Sequence, residues 1–232
     1  MKKMQSLFCA CLGAMSMAAL ATTEDQTLYV DKSAAAGGDG ETMATAFNTI
    51  AAALAKAQTG WTVLVAPGTY DSEEVVDDYG YTNRVYITKR VHLKSTGGKS
   101  VTHIVGKWSE NSVHATIPGI GADAIRCIRI TSGAYYSVVE GFTIRDGACH
   151  TASDNASGYG GGVAGGGVSS FIVDCVVSNC TAVRGGALRD ITAVRSWITR
   201  NTGGSSAGRG VRFANCLITG NDGAGGVFMI TA

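Results

Sequence analysis

The chain has 232 residues, which is enough for one domain with a sizeable core. It contains 32 glycines but only two prolines, and 16% of its residues are charged. This composition is too apolar for a disordered chain, and the sequence lacks the three-residue period of collagen. The formal net charge of +1 gives no general attraction to polyanions, so nucleic-acid binding is not indicated.

Residues 1–21 have the features of a secretory signal peptide. Lys2 and Lys3 precede an apolar stretch, residues 6–20, that is too short to span a bilayer, and Ala19 and Ala21 form a small-residue cleavage site. We therefore predict export to the extracellular space or the cell surface, and we leave these residues out of the fold. No later stretch of the sequence is long and apolar enough for a transmembrane helix.

Residues 22–61 predict a cap that contains the one convincing helix of the sequence, at about residues 48–59. Asn48 or Thr49 can cap its N-terminus, and Gly60 ends it. The coils of a solenoid expose unpaired backbone and apolar side chains at each end. We expect the helix to cover the first coil.

The stretch DSEEVVDDYGY, residues 71–81, is the one acidic cluster of the sequence. Carboxylate oxygens are the ligands that Ca²⁺ prefers, although a usable site needs six or more converging oxygens. The cluster is therefore either a calcium site or a solvated loop that leaves the first coil. The candidate ligands are Asp71, Glu73, Asp77 and Asp78.

Four short segments repeat along residues 62–232 and predict a solenoid. The segments FTIRDG, CVVSNC, SWITRN and CLITGN align so that one apolar column and one turn column recur, the last three about 20 residues apart. Short β-rich units at this period are typical of a parallel β-helix. The apolar column is Ile144, Val177, Ile198 and Ile218, and the turn column is Gly147, Cys180, Asn201 and Asn221.

A glycine-rich tract interrupts the first repeat and matches G-x-G-x-x-G at Gly160, Gly162 and Gly165. A dinucleotide site would need a strand before this motif and a helix after it, and β-branched residues follow instead. We therefore predict no cofactor, and we interpret residues 148–167 as an insertion that protrudes from one coil. On this interpretation Gly186 holds a positive φ in a turn between coils, so Gly186→Val costs more stability than Gly161→Val.

Five cysteines follow the signal, and they contain no C-x-x-C pair that would suggest zinc. Cys175 and Cys216 share a column two rungs apart, which is beyond disulfide reach. If any bridge forms, we expect Cys149–Cys180.

Residues 29–70, with Ala-Pro-Gly-Thr-Tyr at 66–70, resemble the N-terminal cap of secreted bacterial β-helix proteins of the pectin-lyase-like superfamily. VEGFTIRDG at 139–147 is similar to a common coil of that superfamily. The later GGAL and GGV units look like repeats of polymorphic outer-membrane proteins. The resemblance implies an all-β fold, a right-handed parallel β-helix with an N-terminal capping α-helix. It does not imply one activity, because this fold hosts lyases, hydrolases, adhesins and spacers.

Two groups of residues are candidates for chemistry. Arg145, Asp146 and His150 follow a repeat strand and could form an acid/base group, or could be ordinary turn and loop residues. Residues 80–232 hold fifteen Lys or Arg and eight acids, which indicates either an ordinary surface with arginines on solvent-facing turns or a basic flank that suits an acidic polysaccharide. The arginines of the repeats share no column in the alignment, which favours general solvation; they are Arg184, Arg189, Arg195, Arg200, Arg209 and Arg212.

The sequence thus predicts a secreted or cell-surface β-helix with a non-catalytic structural, adhesive or glycan-binding role. The alternative is a polysaccharide lyase-like enzyme that acts on a uronate polymer, with Ca²⁺ as its cofactor. A polysaccharide or cell-surface glycan is the expected partner in both cases. Because the sequence stops in mid-repeat, we also expect further coils after residue 232, or another chain packed on the last coil.

Overall fold

The computed structural model describes residues 26–151 and 159–223, and the backbone of residues 227–229. The predicted signal peptide and part of the predicted insertion lie outside the described residues. No helix within the described ranges is long and apolar enough to cross a membrane.

The described chain winds through three sheets in turn, and its strands alternate between them. The first sheet contains β1 (Thr27–Val30), β2 (Thr62–Val65), β6 (His92–Ser95), β9 (Val138–Glu140), β12 (Phe171–Val173), β16 (Thr192–Val194) and the end of β19 (Gly208–Ala214). The second contains β3 (Gly68–Tyr70), β7 (Thr102–Val105), β10 (Thr143–Arg145), β13 (Val176–Ser178), β17 (Trp197–Thr199) and β20 (Leu217–Thr219).

The third sheet contains β4 (Val75–Val76), β5 (Thr82–Ile87), β8 (Arg126–Ile130), β11 (Val163–Ala164), β15 (Leu188–Arg189), the start of β19 and β21 (Val227–Met229). A further pair, β14 (Thr181–Arg184) and β18 (Thr202–Gly204), lies between the second and third sheets along the chain. All pairs among these strands are parallel except β4 with β5. The predicted parallel β-helix is confirmed.

The apolar column of the repeats lines the interior of the coils. Ile144 pairs in register with Val177, Val177 with Ile198, and Ile198 with Ile218, and the first three are fully buried. Strand residues alternate between two faces, so one inward column fixes the register of every coil. The turn column lies three residues after the apolar column. In it, Asn201 Oδ1 accepts a hydrogen bond from the Cys180 N–H at 2.9 Å, so the turns of successive coils are bonded to each other.

The helix α1 (Ile50–Lys56) lies inside the predicted range and packs on the first coils. Ile50 and Leu54 are buried in the common core. The Thr49 side chain accepts from the Ala52 N–H at 3.2 Å and so caps the helix N-terminus, as the sequence predicts for Asn48 or Thr49. A 3₁₀ turn (Met43–Thr45) precedes it.

The glycine-rich tract differs from its prediction, because its second half belongs to the coil body. Gly161 donates to the Gly186 carbonyl at 3.0 Å, and Val163 is fully buried in the third sheet. A Cβ on Gly161 would lie 2.2 Å from the Thr181 carbonyl oxygen, and one on Gly186 would lie 2.2 Å from the Thr202 carbonyl oxygen. Neither glycine has a positive φ. Both positions need glycine for close approach between coils, so the expected tolerance of Gly161→Val was wrong.

Several coil corners use left-handed residues other than glycine. Arg195 has φ 48° and Asn215 has φ 54° at the same corner of successive coils, where Arg195 donates to the Ala214 carbonyl. Asp and Asn tolerate this conformation better than other residues with a Cβ, and arginine has no such advantage. These corners therefore store a small amount of backbone strain.

The five described cysteines are all free, so the expected Cys149–Cys180 bridge is absent. Ala148 and Thr181 are bridge partners, which places Cys149 opposite Ala182 in a small side cluster, whereas Cys180 lies in the main core. The two thiols therefore belong to different packing layers.

Candidate functional site

The outward positions of the third sheet form a column of aromatic and basic side chains. Tyr86 pairs in register with Arg129 and Arg129 with Ala164; Ala164 then pairs with Arg189 and Arg189 with Arg209. Val85, Ile128, Val163 and Leu188 precede four of these residues and are buried. The alternation of strand residues therefore directs Tyr86, Arg129, Arg189 and Arg209 to the opposite, outer face. Ala164, between Arg129 and Arg189, is buried.

Arg189 and Arg209 are direct neighbours in this column, about 4.8 Å apart as adjacent strands require. The prediction that the repeat arginines share no column was wrong for this pair. Partial desolvation, and then the charges of Arg209 and Arg189, lower the pKa of the Arg184 guanidinium. Three arginines therefore contribute to one region of positive potential.

The arginine column is held by specific contacts. The Arg189 guanidinium lies over the Tyr159 ring, 4.5 Å from its centroid, which is a cation–π geometry. Arg189 Nε also lies 2.9 Å from Asp190 Oδ2. Burial raises the pKa of Asp190, although Arg189, Arg209 and Arg129 act against that shift. Asp190 compensates one positive charge, so the cluster keeps a net positive charge.

The acidic residues of the stretch 71–81 have separate partners and do not converge. Lys32 Nζ lies 2.5 Å from Asp71 Oδ1. The Glu73 carboxylate accepts hydrogen bonds from the first N–H groups of α1, at 2.8 Å from Ile50 and 2.6 Å from Ala51. Burial raises the pKa of Glu73 despite these bonds. Both residues tie the loop to the cap.

Asp77 and Asp78 lie at the N-terminal end of the third sheet. Asp77 is buried and lies 3.7 Å from the Arg126 guanidinium. Burial lowers the pKa of Arg126 to about 10. Asp78 interacts with the Tyr86 hydroxyl, and burial followed by this contact raises the pKa of Tyr86. Within the described ranges no three His, Cys, Asp or Glu side chains are grouped to hold a metal ion, so the four predicted ligands do not fit a calcium site.

Arg145, Asp146 and His150 do not form one acid/base group in the structure. Arg145 pairs with Asp146, whose other oxygen accepts from Asn179 Nδ2 at 2.7 Å. Asp146 has φ 60°, as expected for a corner residue. His150 is buried on another side, where its Nε2 accepts from the Thr82 N–H at 2.9 Å. Burial, and then the Arg126 charge, lower the pKa of His150 to about 4, so this histidine is neutral at physiological pH.

The sequence contained one signal for the arginine column. Arg189 and Arg209 are 20 residues apart, which is also the spacing between Ile198 and Ile218 of the apolar column.

A second charged group was also missed in the sequence analysis. On the first sheet, Glu140 bonds His92 Nε2 at 2.7 Å and lies 3.1 Å from Lys94 Nζ.

Comparisons with known proteins agree with the fold. No protein-family model and no curated protein matches the sequence. Among solved structures, pectin methylesterase PemA from Erwinia chrysanthemi superposes with a TM-score of 0.51 at 17% identity, and a pectin methylesterase in complex with a hexasaccharide superposes with 0.52 at 17% identity. Each match covers 83% of this chain and 55% of the other chain, so the present chain spans about half the length of those enzymes. The chain is therefore a right-handed parallel β-helix of the pectin-lyase-like fold.

Proposed function

We propose that the chain binds an acidic polysaccharide along the outer face of its third sheet. The observation that carries this proposal is the register of Arg189 with Arg209, joined by Arg129 two strands away and by Arg184 nearby. A uronate polymer carries one carboxylate on each sugar, and a sugar is about as long as the strand spacing. Arginine forks bind carboxylates with two parallel hydrogen bonds.

The distribution of charge restricts where the polymer would lie. Asp78 and Glu74, at the N-terminal end of the third sheet, would repel a polyanion, whereas the coils that carry Arg129 to Arg209 would attract it. A path from Arg129 to Arg209 crosses three strand spacings, about 14 Å. That length suits about three consecutive acidic sugars. The hexasaccharide named for one structural neighbour supports the choice of a carbohydrate ligand.

The proposed place of action is outside the cell, because residues 1–21 carry the features of a secretory signal. In this setting the chain would present the third sheet to cell-wall or surface glycans as a structural or adhesive module. The alternative function is a polysaccharide lyase, and Arg184 supports it. Lyases of this superfamily use a Lys or Arg as the base, and desolvation together with two neighbouring arginines lowers the pKa of Arg184.

The test is binding to immobilised polygalacturonate, with highly methyl-esterified pectin and a neutral polysaccharide as matched ligands. We expect the wild-type protein to bind polygalacturonate, and we expect Arg189→Gln with Arg209→Gln to weaken binding by about tenfold or more. Arg200→Gln with Arg212→Gln, which changes two exposed arginines outside the third sheet, is the charge-matched control. Equal binding by the two variants would contradict the proposal. Absorbance of an unsaturated product in the same samples would identify a lyase.

A further inference from the structure

We infer that a second site, at the corner between the third and first sheets, binds a single carboxylate-bearing sugar residue. The site is a surface cavity of about 290 Å³, and Arg90, His92 and Tyr136 contribute its polar and aromatic lining. It lies on a different corner of the coil from the arginine column. It does not depend on the proposed function of that column.

Tyr136 is held in a conformation that its side chain disfavours. Its φ is 62°, and 64% of its surface is exposed. A bulky residue with a positive φ is an outlier that costs about 1 kcal/mol or more. Burial of the ring in the core cannot repay this cost, because the ring is exposed. The same conformation occurs at other coil corners, but at Tyr136 it places an exposed aromatic ring beside the cavity.

The backbone around Tyr136 is fixed by the neighbouring buried residue. The Ser137 hydroxyl donates to the Ala134 carbonyl at 2.8 Å and accepts from the Val91 N–H at 3.2 Å. Ser137 is fully buried. The turn that carries Tyr136 is therefore tied to the turn that carries Arg90, so the backbone on both sides of the cavity is fixed.

The charged groups of the cavity leave one cation available for an anion. His92 Nε2 lies 2.7 Å from Glu140 Oε2, which fixes the ring, and Lys94 Nζ lies 3.1 Å from the other oxygen of the same carboxylate. Glu140 is thus already paired twice. Within the described residues, Arg90 has no ion pair and its guanidinium has no hydrogen-bond partner. A ligand carboxylate would supply that partner.

These features together select the ligand class. An aromatic ring offers a flat apolar face to one side of a pyranose, and a free guanidinium accommodates a carboxylate in a bidentate pair. The small volume fits a sugar unit or a chain terminus better than a polymer. A uronic acid residue has both groups, whereas a neutral hexose lacks the carboxylate.

The experiment measures binding of methyl α-D-galacturonoside by ligand-observed NMR, with methyl α-D-galactoside as the neutral comparison. Tyr136→Gly is the informative variant, because glycine accepts the left-handed conformation and the folded protein should keep its stability or gain some. We expect Tyr136→Gly and Arg90→Gln each to weaken binding of the acidic sugar by about tenfold. Tyr135→Ala, at the exposed neighbouring tyrosine, should bind like the wild type.

The double variant Arg189→Gln/Arg209→Gln separates this site from the arginine column. We expect it to bind the acidic monosaccharide normally even if it loses polygalacturonate. Equal affinity of the wild type and the folded Tyr136→Gly variant would overturn the inference. Equal binding of the acidic and neutral sugars would do the same, and so would loss of monosaccharide binding in the double variant.

Discussion

Arg189 and Arg209 occupy partner positions on adjacent strands of one sheet, so two positive side chains leave the same face side by side. Like charges directly opposite each other destabilise a sheet. The Tyr159 ring and the Asp190 carboxylate offset part of this cost at Arg189. An anionic ligand would reduce the remaining repulsion between the two arginines. Ligand binding at the proposed site would therefore also stabilise the sheet.

The first prediction is that salt stabilises the wild-type protein relative to Arg209→Gln. Screening removes the repulsion between Arg189 and Arg209, which is worth about 0.2–1 kcal/mol at low ionic strength. Urea unfolding at low and high salt measures the difference. Arg212→Gln on the first sheet is the control: it keeps Arg189 and Arg209, so it should respond to salt like the wild type. If Arg209→Gln and the wild type respond equally to salt, the two guanidinium groups do not repel each other in the folded protein.

The second prediction concerns two glycines that are required because a neighbouring backbone lies close to them, and not because of a positive φ. Gly161→Ala and Gly186→Ala should each destabilise the protein by about 3 kcal/mol or prevent folding, because the new methyl group meets a carbonyl oxygen of a neighbouring segment that cannot move away. Gly133→Ala should be tolerated, since the nearest atoms to its Cβ lie at 3.8 and 3.9 Å. Thermal unfolding of the three variants checks this order. A stable Gly161→Ala protein would mean that residues 160–162 lie outside the coil body.

The interior of the fold could be predicted from sequence, but its outer face could not. One apolar residue in each 20-residue repeat must point inward, so the spacing of Ile198 and Ile218 determines the register of their coils. The outer column passes through coils of unequal length. Tyr86 to Arg129 spans 43 positions, Arg129 to Ala164 spans 35, and Ala164 to Arg189 spans 25. Alignment by a fixed period therefore misses most of that column, and only its last pair keeps the repeat spacing.

The corners were also difficult to predict, because several residue types occupy the same left-handed position. Gly141, Asp174, Arg195 and Asn215 follow the strands of the first sheet in successive coils, and each has a positive φ. Glycine content alone therefore did not identify the turns. The acidic stretch 71–81 was ambiguous for another reason: its buried partner, Arg126, comes from the next coil.

The third prediction follows from the corner at Arg195. Replacing Arg195 with Asn, the residue that Asn215 provides at the same corner of the next coil, should raise the free energy of unfolding by about 0.5–1 kcal/mol. The gain comes from relief of the left-handed conformation, φ 48°. Arg212→Asn changes the same side chain in an ordinary strand position and should bring no gain. If both variants unfold at the same denaturant concentration, and above the wild type, the gain comes from removing charge and not from relieving strain.

The fourth prediction is a pH dependence of stability that originates at His150. Its pKa is about 4 in the folded protein and about 6.5 in an unfolded chain. The unfolded state therefore binds more protons between these values, and the His150 contribution to stability is lost as the pH falls from 6.5 towards 4. The neutral ring is needed because its Nε2 accepts from the Thr82 N–H and because Arg126 lies nearby. His150→Gln cannot gain this proton.

Urea unfolding from pH 7 to pH 4.5 tests the fourth prediction above the range in which most carboxylates titrate. As the pH falls over this range, the free energy of unfolding should decrease more steeply for the wild type than for His150→Gln. The two slopes against pH should differ by an amount equivalent to the uptake of up to one proton on unfolding. Glu73 carries a raised pKa and can titrate in the same range, but it is present in both proteins and cancels in the difference. Its contact with α1 is also unchanged by the substitution. Parallel pH profiles would show that His150 is accessible to protonation in the folded state, and would remove the argument that this residue is a buried, neutral part of the coil interior.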